Sequence, residues 1–157
     1  MEGRVEIAGI RWTPPEQLHL TLRFIGSINP SPVKEALLKV TSPPVAISFE
    51  RVHLFPRSSR PRVLAATVLI TPELQTLHAR IETALEQAGI DREGRPFRPH
   101  VTLARCKDPD PDKLKWLLGT IALPAGAYDI DTLHLFESKL HPEGARHTVL
   151  ETYQLDG

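Results

Sequence analysis

Apolar positions recur along this chain with two different periods. Between residues 72 and 88, Leu74, Leu77, Ile81, Leu85 and Ala88 follow the three-to-four spacing of a helix that packs one face on a sheet. Thr71 stands where an N-cap belongs, Pro72 suits the first turn and Gly89 suits the stop. From Leu18 to Phe24 the period is two: Leu18, Leu20, Leu22 and Phe24 face one way, and His19, Thr21 and Arg23 the other. The same alternation sets Val101 and Leu103 against His100 and Thr102. Two further runs, VHLF (52–55) and LHLF (133–136), predict strands that turn back as hairpins. The first passes through PRSSRPR (56–62) into VLAATVLI (63–70), the second through ESKLHPEGARH (137–147) into TVLETYQL (148–155). Short helices are predicted at 31–40 and 110–118, each opening on a capping residue and a proline, Ser31-Pro32 and Asp110-Pro111.

These elements repeat. HLTL (19–22) and HVTL (100–103) place their histidines 100 − 19 = 81 residues apart, and the histidines of VHLF and LHLF are 134 − 53 = 81 apart. A strand, a short helix and a strand therefore occur twice at one offset, which predicts an internal duplication into two similar lobes. By chance a His-apolar-Ser/Thr-apolar string is expected roughly 0.14 times in such a chain, so two copies at a shared offset are specific where one would be weak. The offset also assigns counterparts of residues 63–70 and most of the following helix to positions before Met1. The first lobe is thus expected without its leading strand and most of a helix, giving a shortened chain or an asymmetric fold.

Each motif presents one imidazole and one hydroxyl on the polar side of a strand, about 6.5–7 Å apart. Two imidazoles brought to one place suit proton transfer at both ends of a displacement at phosphorus, one accepting from the attacking oxygen and one donating to the leaving oxygen. Thr21 and Thr102 can donate to non-bridging phosphate oxygens. Strict alternation sets Arg105 opposite His100, and it reaches the same face only if the strand ends or bulges near Ala104. No metal is called for, since neither motif has a second ligand at His-x-His or His-x3-His spacing. His53 and His134 lack a hydroxyl at the right spacing and are weaker candidates; His78 reads as packing, His141 and His147 as surface, and Cys106 as an inert thiol. Arg57, Arg60 and Arg62 on the first hairpin, and Arg92, Arg95 and Arg98 ahead of the second motif, read mostly as solvated loops. Phe97 is a candidate for stacking on a base, whereas Phe24 falls on the apolar face.

Composition narrows the classes. The 157 residues suffice for one domain, here 1–157 with interleaved lobes, and 41% hydrophobic with 24% charged residues is a globular balance. Nineteen basic side chains meet nineteen acidic ones, so the basic excess of a protein that coats long nucleic acid is missing. No run approaches a membrane span, the N-terminus lacks the apolar core of a secretion signal, and a single cysteine fits a reducing cytoplasm. A soluble cytoplasmic monomer with no cofactor is expected.

The stretch WTPPEQLHLTLRFIG (12–26), together with PFRPHVTLAR (96–105), resembles the two-histidine phosphoesterase superfamily. Within it the chain looks like the bacterial and archaeal RNA 2',3'-cyclic phosphodiesterases, also called 2'-5' RNA ligases, over essentially its whole length. The resemblance implies a bilobal α+β fold, with two antiparallel sheets flanking a central cleft, helices outside and one motif from each lobe. It implies hydrolysis of a ribose 2',3'-cyclic phosphate at an RNA 3' end or on a nucleotide, leaving a 2'-phosphomonoester. His19 then matches the proton donor to the leaving oxygen and His100 the base for water. Thr21 and Thr102 match phosphate-binding hydroxyls, and Arg105 a basic residue that family members also use. Members of that family open with a strand and a helix ahead of the region matching residue 4, which the given sequence lacks. Two other activities share this site chemistry, 2'-5' ligation and the opening of another cyclic nucleotide. A nucleotide-binding module without turnover, or a shortened fragment that folds poorly, are the readings from other classes.

Overall fold

The computed structural model describes residues 6–56, 60–142 and 144–157. The fold is α+β, with antiparallel sheets and three helices. It divides into two compact units, each built from three separated stretches of chain.

Unit 1 comprises Met1–Thr21, Ser48–Leu69 and Arg98–Gly126. Its sheet has four strands in the order β1-β5-β4-β3, formed by β1 (Ile10–Trp12), β3 (Phe49–Phe55), β4 (Val63–Val68) and β5 (His100–Cys106). One face is apolar: Leu64 and Ala104 are fully buried beside Ile7 and Leu117, with Ile10, Trp12, Val52 and Leu54 packed against them. Leu117 comes from α3 (Pro111–Thr120), the helix that covers this face. Asp110 caps α3 by accepting from the amides of Asp112 and Lys113 at 2.9 and 3.2 Å, as expected of an Asp-Pro start. Gly9 takes φ of +83° at the entry to β1, where a Cβ would lie 2.4 Å from the Lys107 carbonyl oxygen.

Unit 2 comprises Leu22–Ile47, Ile70–Phe97 and Ala127–Gly157. It holds α1 (Pro30–Leu37), α2 (Pro72–Gln87), the short pair β2 (Val45–Ile47) with β6 (Tyr128–Ile130), and a ribbon of β7 (Thr132–His141) with β8 (Gly144–Gln154). Helix α2 is the element expected from periodicity. Thr71 accepts from the Leu74 amide at 3.1 Å, and Leu74, Leu77, Ile81 and Leu85 are buried. The fifth expected face position, Ala88, is exposed, and Ala84 is buried instead. Tyr153 of β8 donates its hydroxyl to the Lys34 carbonyl of α1 at 3.1 Å, tying ribbon to helix.

Several expectations are corrected. Helix α1 begins at Pro30, capped by Asn29 rather than Ser31, because the Asn29 side chain accepts from the Ser31 amide at 3.1 Å. Within the stretch expected as a loop, residues 137–141 and 144–147 are strand. They form the outer half of the β7–β8 ribbon, with Ser138 hydrogen-bonded to His147 at 2.8 Å. Among the described residues the strands form sheets of four, two and two. Residues 18–24 do not form a strand, and only Leu20 makes a bridge, to Val101. No described helix is long and apolar enough to cross a membrane.

Candidate active site

Register determines which side chains share a face, because residues directly opposite on antiparallel strands project the same way. The apolar face of the unit 1 sheet carries Val52, Leu54, Leu64, Ala66, Val101 and Ala104, so the alternate positions make up the other face. Across that face Thr102 stands opposite Ala65, which stands opposite His53, and His100 stands opposite Thr67. The antiparallel bridge between Leu20 and Val101 brings in the first motif. Continued by one residue each way, its register sets His19 opposite Thr102 and Thr21 opposite His100. That register defines a quartet of His19, Thr102, Thr21 and His100, in which the two imidazoles occupy diagonal positions, a relation that spans about 7–8 Å in a regular ladder. His19 and His100 both lie in unit 1.

Arg105 joins them through an irregularity. Leu64 pairs with Ala104 and Ala65 with Thr102, so β5 carries one extra residue, Leu103, against β4. This bulge resets alternation. Ala104 drops into the core with no exposed surface, and Arg105, opposite Val63, emerges on the face of His100 and Thr102.

Each motif histidine is oriented by its own backbone. Nδ1 of His19 lies 2.8 Å from the carbonyl oxygen of Gln17, and Nδ1 of His100 lies 2.8 Å from that of Arg98, two residues upstream in both cases. A carbonyl can only accept, so Nδ1 carries the hydrogen and proton exchange falls to Nε2. The acceptor for His19 is presented by the 3-10 turn Pro15–Gln17, one of the terminal carbonyls that such a turn leaves without an internal partner. For His100 the acceptor precedes Pro99, a proline that holds the preceding residue extended. The Phe55 ring lies 5.6 Å from the His100 ring and 4.7 Å from that of His53.

Other expectations resolve differently. Arg23 does not extend the site face. Its Nε donates to Glu82 Oε1 at 2.5 Å in unit 2, its other nitrogens bond the carbonyls of Phe24 and Asp91, and the Arg23 and Glu82 side chains are only 7% and 6% exposed. Alternation fails there because the extended stretch gives way after Thr21. Phe24, assigned to a core face, is 64% exposed for the same reason. Phe97 belongs to unit 2, where its ring stacks on His78 at 4.0 Å and 11°. Burial pushes the His78 imidazole below its ordinary value, with the Glu82 carboxylate working against burial and Arg23 with it. His134, the 81-residue partner of His53, is spent within the ribbon on Thr152, at 3.0 Å. Burial also raises the Cys106 thiol, away from thiolate character. Arg57 lies outside the described residues. Sequence reading missed Arg11, which β1 sets directly opposite Arg105. Its signal was present as alternation in Ile10-Arg11-Trp12, but three residues are too few to stand out.

Comparison with known proteins identifies the family. The model of the 2'-5' RNA ligase superfamily matches residues 7–142. A protein of Thermus thermophilus named RNA 2',3'-cyclic phosphodiesterase is 31% identical, over 95% of this chain and 77% of its own length. One of the same name from Archaeoglobus fulgidus is 29% identical, over 94% of this chain and 85% of its own. Among solved structures, one from Thermus thermophilus superposes with a TM-score of 0.75 at 30% identity, over 96% of this chain and 84% of that one. Escherichia coli LigT, crystallised with 3'-AMP, shares the fold with a TM-score of 0.66 at 22% identity, over 94% and 82% of the two chains. On a family match that runs through both histidine motifs, the chain belongs to the 2'-5' RNA ligase superfamily.

Proposed function

We propose that the chain hydrolyses the 2',3'-cyclic phosphate of an RNA 3' end or a nucleotide to a 2'-phosphomonoester, by acid–base catalysis between two histidines. His100 Nε2 takes a proton from the attacking water as the new P–O bond forms. His19 Nε2 delivers a proton to the 3' oxygen as the P–O3' bond breaks, so each turnover leaves the pair one proton exchange from its starting state. Thr21 and Thr102 donate to the non-bridging oxygens of the five-coordinate phosphorus, and Arg105, one row along the same face, adds positive potential to it without contacting that phosphorus. The observation that carries this reading is the matched pair of backbone bonds at Nδ1, which gives two imidazoles on one sheet face the same tautomer. Relatives named RNA 2',3'-cyclic phosphodiesterase support the substrate.

The test is turnover of adenosine 2',3'-cyclic phosphate with EDTA present. His19→Ala and His100→Ala should each lower kcat by about 10²–10⁴-fold, with retained folding in a thermal melt. Because one imidazole must be protonated and one neutral, kcat/KM should trace a bell with pH. Full activity in both variants sinks the mechanism, and so does loss of activity on chelation.

A further inference from the structure

Directly opposite Arg105 on the site face stands Arg11 of β1. Its neighbours Ile10 and Trp12 pack on the core, so Arg11 projects to the same side as the motif histidines. Like charges placed opposite one another across a ladder repel and cost stability. Neither guanidinium has a carboxylate within ion-pair distance among the described residues, and both side chains are exposed. Such a pair is accounted for by an anion held between the two forks, where guanidinium geometry suits phosphate oxygens. The pair also has a definite place. On β4, Ala65 faces Thr102 and Val63 faces Arg105, so the arginines sit two residues, or about 6.6 Å, along the sheet from the quartet. That is about one nucleotide of extended single strand.

We propose that Arg11 and Arg105 form a second phosphate subsite, which holds the internucleotide phosphate on the 5' side of the terminal ribose while the quartet holds the cyclic phosphate. This rests on the reading of the quartet given above, and makes the oligonucleotide end, rather than the cyclic mononucleotide, the better substrate. Val63 and Phe55 continue the same row across β4 and β3, giving the subsite an apolar flank.

The experiment compares kcat/KM for adenosine 2',3'-cyclic phosphate and for a trinucleotide ending in the same group, in the wild type and in Arg11→Gln. The wild type should favour the trinucleotide by about tenfold or more, and Arg11→Gln should remove most of that preference through KM. An equal effect on both substrates, or none on either, overturns the subsite. A second readout does not need turnover. Binding of a trinucleotide ending in a 2'-phosphate, followed by fluorescence anisotropy over a salt series, should weaken in Arg11→Gln, with the log–log salt slope shallower by about 0.7. An unchanged slope overturns the subsite even if the enzyme is active. A shallower slope without turnover in the wild type retains the subsite and removes the phosphodiesterase reading. Arg11→Gln should melt no lower than the wild type, because it relieves a repulsion; a lower melt assigns Arg11 a structural role.

Discussion

At the scale of single residues, charge pairing separates what holds the fold from what acts on substrate. Arg23 and Glu82 are almost wholly buried and satisfy each other, and Glu82 accepts in addition from the Glu93 amide at 3.2 Å. Removing one partner leaves a desolvated charge. Arg23→Met is therefore expected to lower stability by about 3–5 kcal/mol in a denaturant titration, whereas Arg23→Met with Glu82→Leu should recover most of it. The sequence presented His19, Thr21, His100 and Thr102 through alternation alone, and the structure adds that the Leu20–Val101 bridge joins the two stretches that carry them. It misassigned Arg23 and Phe24, which continue the same alternation on paper. Alternation describes a side chain only while the backbone stays extended, and nothing local in LTLRF marks where extension ends. Nor do the residue types foretell the carbonyls of Gln17 and Arg98, since any residue supplies a carbonyl.

At the scale of elements, what could be read was short-ranged. The caps Thr71 and Asp110 sit within three residues of the amides they satisfy. Asp110→Ala should cost about 1 kcal/mol, measured as a lower melting temperature, since α3 is the cover of the unit 1 core. Strands β1, β2 and β6 were not legible, because each has three residues and owes its existence to a partner far away in the chain. The ribbon beyond Glu137 was misread for a related reason. Residues 137–141 of β7 are exposed and mostly polar, so they carry no hydrophobic alternation, and their order comes from cross-strand pairing. The bulge at Leu103 lay between these cases. The sequence stated the condition for Arg105 to reach the site, and the ladder meets it.

At the scale of the whole molecule, the response to acid has two separate origins. His78 is about 20% exposed, and burial holds its imidazole below the ordinary value of 6.5. A lowered folded value means that the unfolded chain takes up the proton first. The contribution is complete above pH 6.5 and is lost as pH falls through the folded value. Melting temperature should therefore decline below about pH 6.5, and His78→Leu should flatten that decline while leaving the bell-shaped rate profile in place. A decline that persists unchanged in His78→Leu would assign it to other groups. The 81-residue repeat was the one global property readable in advance, since it needs only counting. The grouping of His19 and His100 in one unit was not, because an offset reports equivalence and carries no information about which copies pair.

The path of the chain into the first motif has a consequence for how this protein tolerates change. The Thr13 amide bonds the Leu103 carbonyl at 2.8 Å and Leu20 bridges Val101, so residues 14–19 leave the edge of β5 and return to it almost where they left. The length of this excursion sets which residue stands beside Val101. Shortening or lengthening it by one residue would rotate His19 to the opposite face of the sheet and present Leu18 or Leu20 to the substrate. Exposed positions such as Glu16 can accept most substitutions, yet the count of residues between Thr13 and His19 is fixed by the chemistry. Insertions and deletions here should be far more damaging than their solvent exposure suggests.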